Sequence, residues 1–177
     1  MEEVQAATNR HYRENEFHRF PKVLGVDVAR FGDDSSVIFP RQGLQAFDPF
    51  QYRNLDGTQG AEHTIRKWNE FEADACFIDN TGGYGASWID NLVRLGKSPI
   101  GVHFSEKSSN PQYYNKRTEM AFLLADWVKR GGALPDIKEL IEALAQTTYN
   151  FRGEKLLLEE KEDIKEKLGY SPDHMDA

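Results

Sequence analysis

Val23-Leu24-Gly25-Val26-Asp27-Val28 is a nearly continuous apolar run with one carboxylate set inside it. Such a run marks a strand buried on both faces at the centre of a sheet. The turn Phe31-Gly32-Asp33-Asp34 follows, then a second strand over residues 36–40, the turn Gln42-Gly43 and a third strand over 44–52. Three strands so closely spaced predict an antiparallel meander. Upstream, residues 1–20 are polar with no sustained apolar period, which reads as a linker or a frayed helical lead-in to a domain spanning 21–177.

Downstream the period changes. Ala61, Ile65 and Trp68 fit a helix of roughly 13 residues. A short apolar strand over 74–79 precedes a helix over 87–95 through Trp88, Ile89, Leu92 and Val93, stopped by Gly96. A fifth strand covers 99–104. The long helix from Asn115 to Arg130 carries Met120, Leu123, Leu124, Trp127 and Val128 on one stripe, and a further helix follows Pro135. Residues 147–151 and 155–158, split by Arg152-Gly153-Glu154, predict a hairpin; 160–168 is a charged helix, and another begins after Ser171-Pro172. Three antiparallel strands, then β–α–β–α–β, then helices, is the order of the RNase H-like fold of the retroviral integrase superfamily. The expectation is therefore α/β, with a central mixed sheet of about five strands flanked by helices.

The composition narrows the chemistry. A chain of 177 residues with 39% hydrophobic and 29% charged side chains suits one globular domain. Its single cysteine, Cys76 in Ala75-Cys76-Phe77-Ile78, permits no internal disulfide and reads as a small buried hydrophobe. No stretch approaches the roughly 20 apolar residues of a membrane span, and the start is too polar for a signal peptide, so a soluble intracellular protein is expected. The pattern G-x-x-x-x-G-K-[ST] is absent, so the chain carries no P-loop ATPase. A net charge of −7 sits badly with a nucleic-acid partner. Either there is none, or the acids cluster to hold cations while a basic strip and another domain grip the DNA.

Asp27 lies inside its apolar strand, where an uncompensated carboxylate costs several kcal/mol; an edge position or a salt bridge to Arg30 would explain it without function. Asp79 ends Ala75-Cys76-Phe77-Ile78-Asp79, where α/β sheets place ligands, although Asn80-Thr81-Gly82-Gly83-Tyr84-Gly85 also reads as a plain strand-to-helix turn. Asp173 and Asp176, three residues apart, share one face of a helical turn, yet helix capping would account for both. His174 and Asp34 are possible auxiliaries. Two strand carboxylates meeting one from a later helix would suit Mg2+ or Mn2+, whereas one Cys and five scattered His make no recognisable zinc set. Lys107, Lys116 and Arg117 flank the polar loop 105–110 and start the long helix; with Arg30 they are candidate phosphate contacts, or simply a solvated helix start.

Gly25-Val26-Asp27-Val28-Ala29-Arg30-Phe31-Gly32-Asp33-Asp34, Phe77-Ile78-Asp79-Asn80-Thr81-Gly82-Gly83-Tyr84-Gly85, Asn115-Lys116-Arg117-Thr118-Glu119-Met120 and Ser171-Pro172-Asp173-His174-Met175-Asp176-Ala177 occur in this order. Together they resemble the C-terminal nuclease domain of phage terminase large subunits over residues 21–177. The resemblance implies a two-metal DNA endonuclease (two Mg2+ or Mn2+ ions) that cuts concatemeric viral DNA during packaging in the host cytoplasm. Asp27, Asp79 and Asp176 match the family's acids, and Asp173 stays a candidate through a spacing similar to that of RNase H-like Holliday-junction resolvases. Implied partners are double-stranded viral DNA, the terminase ATPase domain, the small subunit and the portal. The ATPase motor is absent, and the last helix is cut just after Asp176, where the family continues with an apolar stretch. Rival readings are a resolvase-like or RNase H-like nuclease, an actin-like phosphotransferase lacking its second domain, and a catalytically silent docking module.

Overall fold

The computed structural model describes residues 1–29 and 34–177; Arg30, Phe31, Gly32 and Asp33, with the turn and the phosphate contact read there, lie outside the described residues. The polar lead-in is docked rather than frayed. Helices α1 (Glu2–Thr8) and α2 (Glu14–Phe17) precede the sheet, and Ala7 is fully buried beside Val37, Phe39, Val128 and Leu140. Arg10 Nη1 donates to the carbonyls of Val128 and Gly132 at 2.7 and 2.9 Å, and the Tyr12 hydroxyl donates to Gly131 O at 2.7 Å. These three carbonyls belong to the last turn of a helix and the residues after it, where intrahelical partners run out. The segment is held by polar contacts, which leave no apolar period to read.

Strand β1 (Lys22–Asp27) occupies the centre of the sheet. It pairs antiparallel with β2 (Ser36–Gln42), Leu24 facing Pro40 and Asp27 facing Val37. The expected third strand is broken into β3 (Gln45–Ala46) and β4 (Phe50–Tyr52), both antiparallel to β2. Between them Phe47 N bonds Pro40 O, and Pro49 has no N–H to offer a ladder. Helix α3 (Gly57–Phe71) starts on Asp56, whose carboxylate accepts from Thr58 N and Gln59 N at 2.8 Å. Strand β5 (Ala75–Asp79), helix α4 (Ala86–Arg94) and strand β6 (Ile100–Val102) complete the parallel half, in sheet order β3-β2-β1-β5-β6. Helices α5 (Lys116–Lys129) and α6 (Lys138–Gln146), the hairpin β7 (Tyr149–Arg152) with β8 (Lys155–Leu158), and helices α7 (Lys161–Leu168) and α8 (Asp173–Asp176) follow.

The period of two in β2 sorts its side chains between two cores, Ile38 to one and Val37 and Phe39 to the other. Leu24 and Val26 join Ile38, Ile78, Trp88 and Leu92 under α3 and α4. Val37, Phe39, Val128 and Leu140 form the second core under α1, α5 and α6. Each fully buried side chain of this size contributes roughly 1.5–3 kcal/mol. Asp27 follows Val26 and so points to the opposite face, the one that α8 approaches. The expected α5 stripe splits: Val128 is buried, whereas Met120 and Leu123 are 36% and 58% exposed. Cys76 is buried and free, and its burial pushes the thiol up to about 12. Among the described residues, no helix is long and apolar enough to cross a membrane.

Candidate active site

The parallel ladder sets the first two carboxylates. Registered pairs run from Val23–Ala75 to Val26–Ile78, so Asp27 and Asp79 each stand one residue beyond the last pair. Both line one open cleft, with Asp34, Thr81, Asn115, Arg117, Lys161 and Asp173 among its other walls. Asp79 caps its own turn: its Oδ1 accepts from Thr81 N at 2.8 Å and Thr81 Oγ1 at 2.5 Å. The Thr81 hydroxyl in turn accepts from Phe104 N at 2.9 Å, tying the β5 end to the segment after β6.

The C-terminal helix brings two more acids. Helix α8 lies against β1 only because residue 25 is glycine; a Cβ there would stand 1.8 Å from Ala177 O. Asp173, 4% exposed, accepts from Ser35 N at 3.0 Å and from the Ser171 hydroxyl. Asp176 accepts from Arg117 Nε and Nη2, both at 3.1 Å, while Arg117 Nη1 donates to Glu159 O at 2.7 Å. One guanidinium therefore fixes α8 and also the segment that leads from the hairpin into α7.

That segment carries a residue that the sequence reading missed. Lys161 Nζ lies 2.9 Å from Asp27 Oδ2, 3.2 Å from Asp173 Oδ1 and 3.4 Å from Asp176 Oδ2. Three carboxylates from opposite ends of the chain thus converge on one ammonium. Burial raises the Asp27 carboxyl to about 7; Lys161 opposes the rise, and Asp176 and Asp173 add to it. Burial also works against the charge of Lys161, but the carboxylates of Asp27, Asp176 and Asp173 outweigh it and hold the ammonium above the ordinary lysine range. Nothing in Glu160–Leu168 marks this lysine, because its helix alternates acids and bases without a period.

The remaining candidates separate. Asp34 lines the cleft and pairs with Lys165. His174 lines an apolar cavity with Phe104, Met120 and Met175 instead of the cleft, and burial lowers its pKa. Lys116 turns to Glu119 at 2.8 Å. Glu119 also accepts from Ser108 Oγ, Ser109 N and Ser109 Oγ, and the hydrogen bonds from Lys116 and Ser109 hold it down at about 2. The polar loop 105–110 is stapled to α5 by these bonds, and Lys107 bridges Asn115 there on an exposed edge outside the cleft lining. Among the described residues, no group of three or more His, Cys, Asp or Glu is already disposed as a metal-ligand set. The acids that meet are disposed around Lys161.

Neither a protein-family model nor a curated protein matches the chain. Solved structures do. The nuclease domain of the large terminase subunit gp2 of bacterial virus Sf6 matches with a TM-score of 0.78 at 20% identity, over 99% of this chain and 93% of that one. A mutant of the same domain with manganese and beta-thujaplicinol gives 0.81 at 22% identity, over 99% and 94%. The large terminase nuclease from thermophilic phage G20c with bound magnesium gives 0.62 at 16% identity, over 91% and 82%. The chain has, over nearly its whole length, the RNase H-like fold of the nuclease domains of phage large terminase subunits.

Proposed function

We propose that this chain is the nuclease domain of a phage large terminase subunit and a divalent-cation-dependent DNA endonuclease. The observation that carries the reading is the convergence of Asp27, Asp173 and Asp176 on one cation, with Asp79 in the same cleft. A surface salt bridge needs one acid for one base; here three acids meet the Lys161 ammonium and the Arg117 guanidinium, and Asp79 adds a fourth carboxylate to the cleft, which leaves an excess of negative charge that favours a further cation.

The donors fit Mg2+ or Mn2+, since all four are hard carboxylate oxygens and a cation already sits among three of them. Asp27, Asp79, Asp173 and Asp176 would hold the metal. When bound as a pair, such ions activate a water and stabilise the leaving oxygen of an in-line phosphodiester displacement. The protein's own groups prepare that chemistry. Thr81 orients Asp79, Ser35 N orients Asp173, and Arg117 orients Asp176, so each donor direction is set before substrate arrives. Lys161 meanwhile balances the charge of the same oxygens that would hold an ion. Cutting of concatemeric DNA with the ATPase domain, small subunit and portal as partners, in the host cytoplasm, belongs to the same proposal. So do phosphate contacts by Arg30, Lys107, Lys116 and Arg117.

The test is direct. The protein should nick and cut plasmid DNA with Mg2+ or Mn2+ and stop in EDTA, and Asp79→Ala should abolish cutting without unfolding the chain. Cleavage that persists in chelator would refute the metal-dependent reading. Faster cutting of a four-way junction than of linear duplex would favour a resolvase-like enzyme.

A further inference from the structure

The hairpin and the chain beside it form a flank of the cleft. Residues 112–114 run alongside β8: Leu156 N donates to Gln112 O at 2.9 Å and Tyr114 N donates to Leu156 O at 2.8 Å, with β7 on the other side of β8. Side chains alternate between the two faces of such strands. Tyr113 and Leu156, bridged in parallel, turn towards α5, where the Tyr113 ring stacks on Phe122 at 5.1 Å. Tyr114 and Lys155 therefore turn outward. Arg152 registers with Lys155 and reaches back across β8, so that its Cζ lies 4.5 Å from the centre of the Tyr114 ring.

A guanidinium stacked on a ring keeps its N–H donors at its edge, in a fork that matches phosphate oxygens. Arg152 is exposed. Among the described residues, neither Arg152 nor Lys155 has an ion-pair partner, not even Glu154 in the turn between them. Lys116 and Arg117, just beyond Tyr114, are by contrast paired with Glu119 and Asp176. The placement leads to the cleft, because Asn115, the residue after Tyr114, lines it. Neighbouring strands lie about 4.8 Å apart, so β8 and β7 are roughly 5 and 10 Å from the strand that carries Tyr114. One strand of DNA rises about 3.4 Å per nucleotide, so a backbone leaving the cleft over this flank crosses it in about three nucleotides.

We propose that Arg152, held flat on Tyr114, and Lys155 bind phosphates of the DNA within a few nucleotides of the one being cut. The proposal rests on the DNA-nuclease reading above. Tyr114 acts through Arg152 and is a positioning residue. Two phosphate contacts make a light grip, in keeping with a net charge of −7, and they set where the duplex lies without reading its sequence.

The experiment titrates a labelled duplex against the protein in EDTA over a series of salt concentrations, and measures KM and kcat with Mg2+. Arg152→Gln and Lys155→Gln should each weaken binding several-fold on every sequence and flatten the slope of log affinity against log salt by ~0.9, and together by ~1.8. Arg152→Lys should keep the slope. Lys97→Gln makes the same change in net charge at the start of β6, where Lys97 lies over Trp68, and should leave the slope unchanged. Tyr114→Leu should weaken binding in the wild type but not in Arg152→Gln, and Tyr114→Phe should be neutral. KM should rise in the Arg152→Gln, Lys155→Gln double variant with kcat within about twofold. An unchanged slope in that double variant, or an equal loss in Lys97→Gln, overturns the proposal while leaving the nuclease reading intact. A wild type that neither binds nor cuts DNA overturns both.

Discussion

Replacing Lys161 by methionine removes the ammonium but keeps a stem of similar length, and it isolates what that charge does. Three carboxylates would lose their common partner, two of them only 2% and 4% exposed residues, Asp27 and Asp173. Removing one partner of a buried pair costs ~3–5 kcal/mol. Lys161 keeps 32% of its side chain exposed, so solvent screens part of this and ~2–3 kcal/mol is the better figure. For a domain of this size each kcal/mol moves Tm by roughly 2–4 °C, which predicts a fall of about 4–12 °C at pH 8 in EDTA. The sign with pH follows from burial. Asp27 already titrates high, at about 7, and loses the group that opposes the rise, so the variant's folded carboxyls bind protons more tightly than the unfolded ones. The deficit is then full at pH 8 and closes as pH falls towards 4. Divalent ions give a second signature: an ion at one hundred times its Kd stabilises by ~2.7 kcal/mol, enough to restore most of the loss. Melting curves of both proteins at pH 5 and pH 8, with EDTA or millimolar MgCl2, provide the assay. A Lys161→Met protein that melts within about 1 °C of wild type at pH 8 in EDTA, or one no more responsive to Mg2+ than wild type, refutes the reasoning.

Asp27→Asn should abolish cutting. Because the folded Asp27 pKa of about 7 exceeds the unfolded value, the stability of wild type relative to this variant should decline from pH 4 to pH 7, by at most about 4 kcal/mol, as paired urea melts would register; a difference independent of pH counts against a buried, proton-holding carboxyl. Glu119→Gln should loosen loop 105–110, read as faster amide exchange at Ser109 and its neighbours with little change in α5; unchanged exchange would show that the bonds to Ser108 and Ser109 do not hold the loop. Glu119 is depressed to about 2 by Lys116 and Ser109, so that staple holds above pH ~4.5 and is lost as pH falls towards 2. The wild type should bind duplex DNA more weakly than roughly micromolar at physiological salt and more tightly with added Mg2+, even as Asp79→Asn; nanomolar binding without metal would show that a basic surface does exist on this chain.

The order of strands and helices was legible because it rests on apolar pattern: the strands around Leu24–Val26 and Cys76–Ile78 are near-continuous apolar runs, and Trp88 and Leu92 sit one helical turn apart. Asp27 and Asp79 were legible for a related reason, as carboxylates where an apolar strand has no local use for one. Period says nothing about polar docking, so the lead-in held by Arg10 and Tyr12 read as loose. Nor does it distinguish one lysine from three in Lys161, Lys165 and Lys167, all of which face acids. Lys161 meets acids from β1 and α8, at sequence separations no local pattern records, and Arg117 ties the same segments together through Glu159 and Asp176.

The same closure bears on the awkward net charge of −7. Among the described residues, cations around the cleft and along α7 are engaged internally: Lys116 with Glu119, Arg117 with Asp176, Lys161 with three acids, Lys165 with Asp34 and Lys167 with Glu159. Lys116 and Arg117, read from the sequence as candidate phosphate contacts, are each ion-paired, so phosphate would have to compete with carboxylates already 2.8 and 3.1 Å away. On the proposed reading, an ion entering the cluster changes this balance twice. It would add positive charge beside the carboxylates, and it would compete with the Lys161 ammonium for Asp27. Affinity for DNA and competence to cut it would then rise together with metal, and a domain with its cations paired at rest would leave DNA uncut until both metal and substrate are delivered.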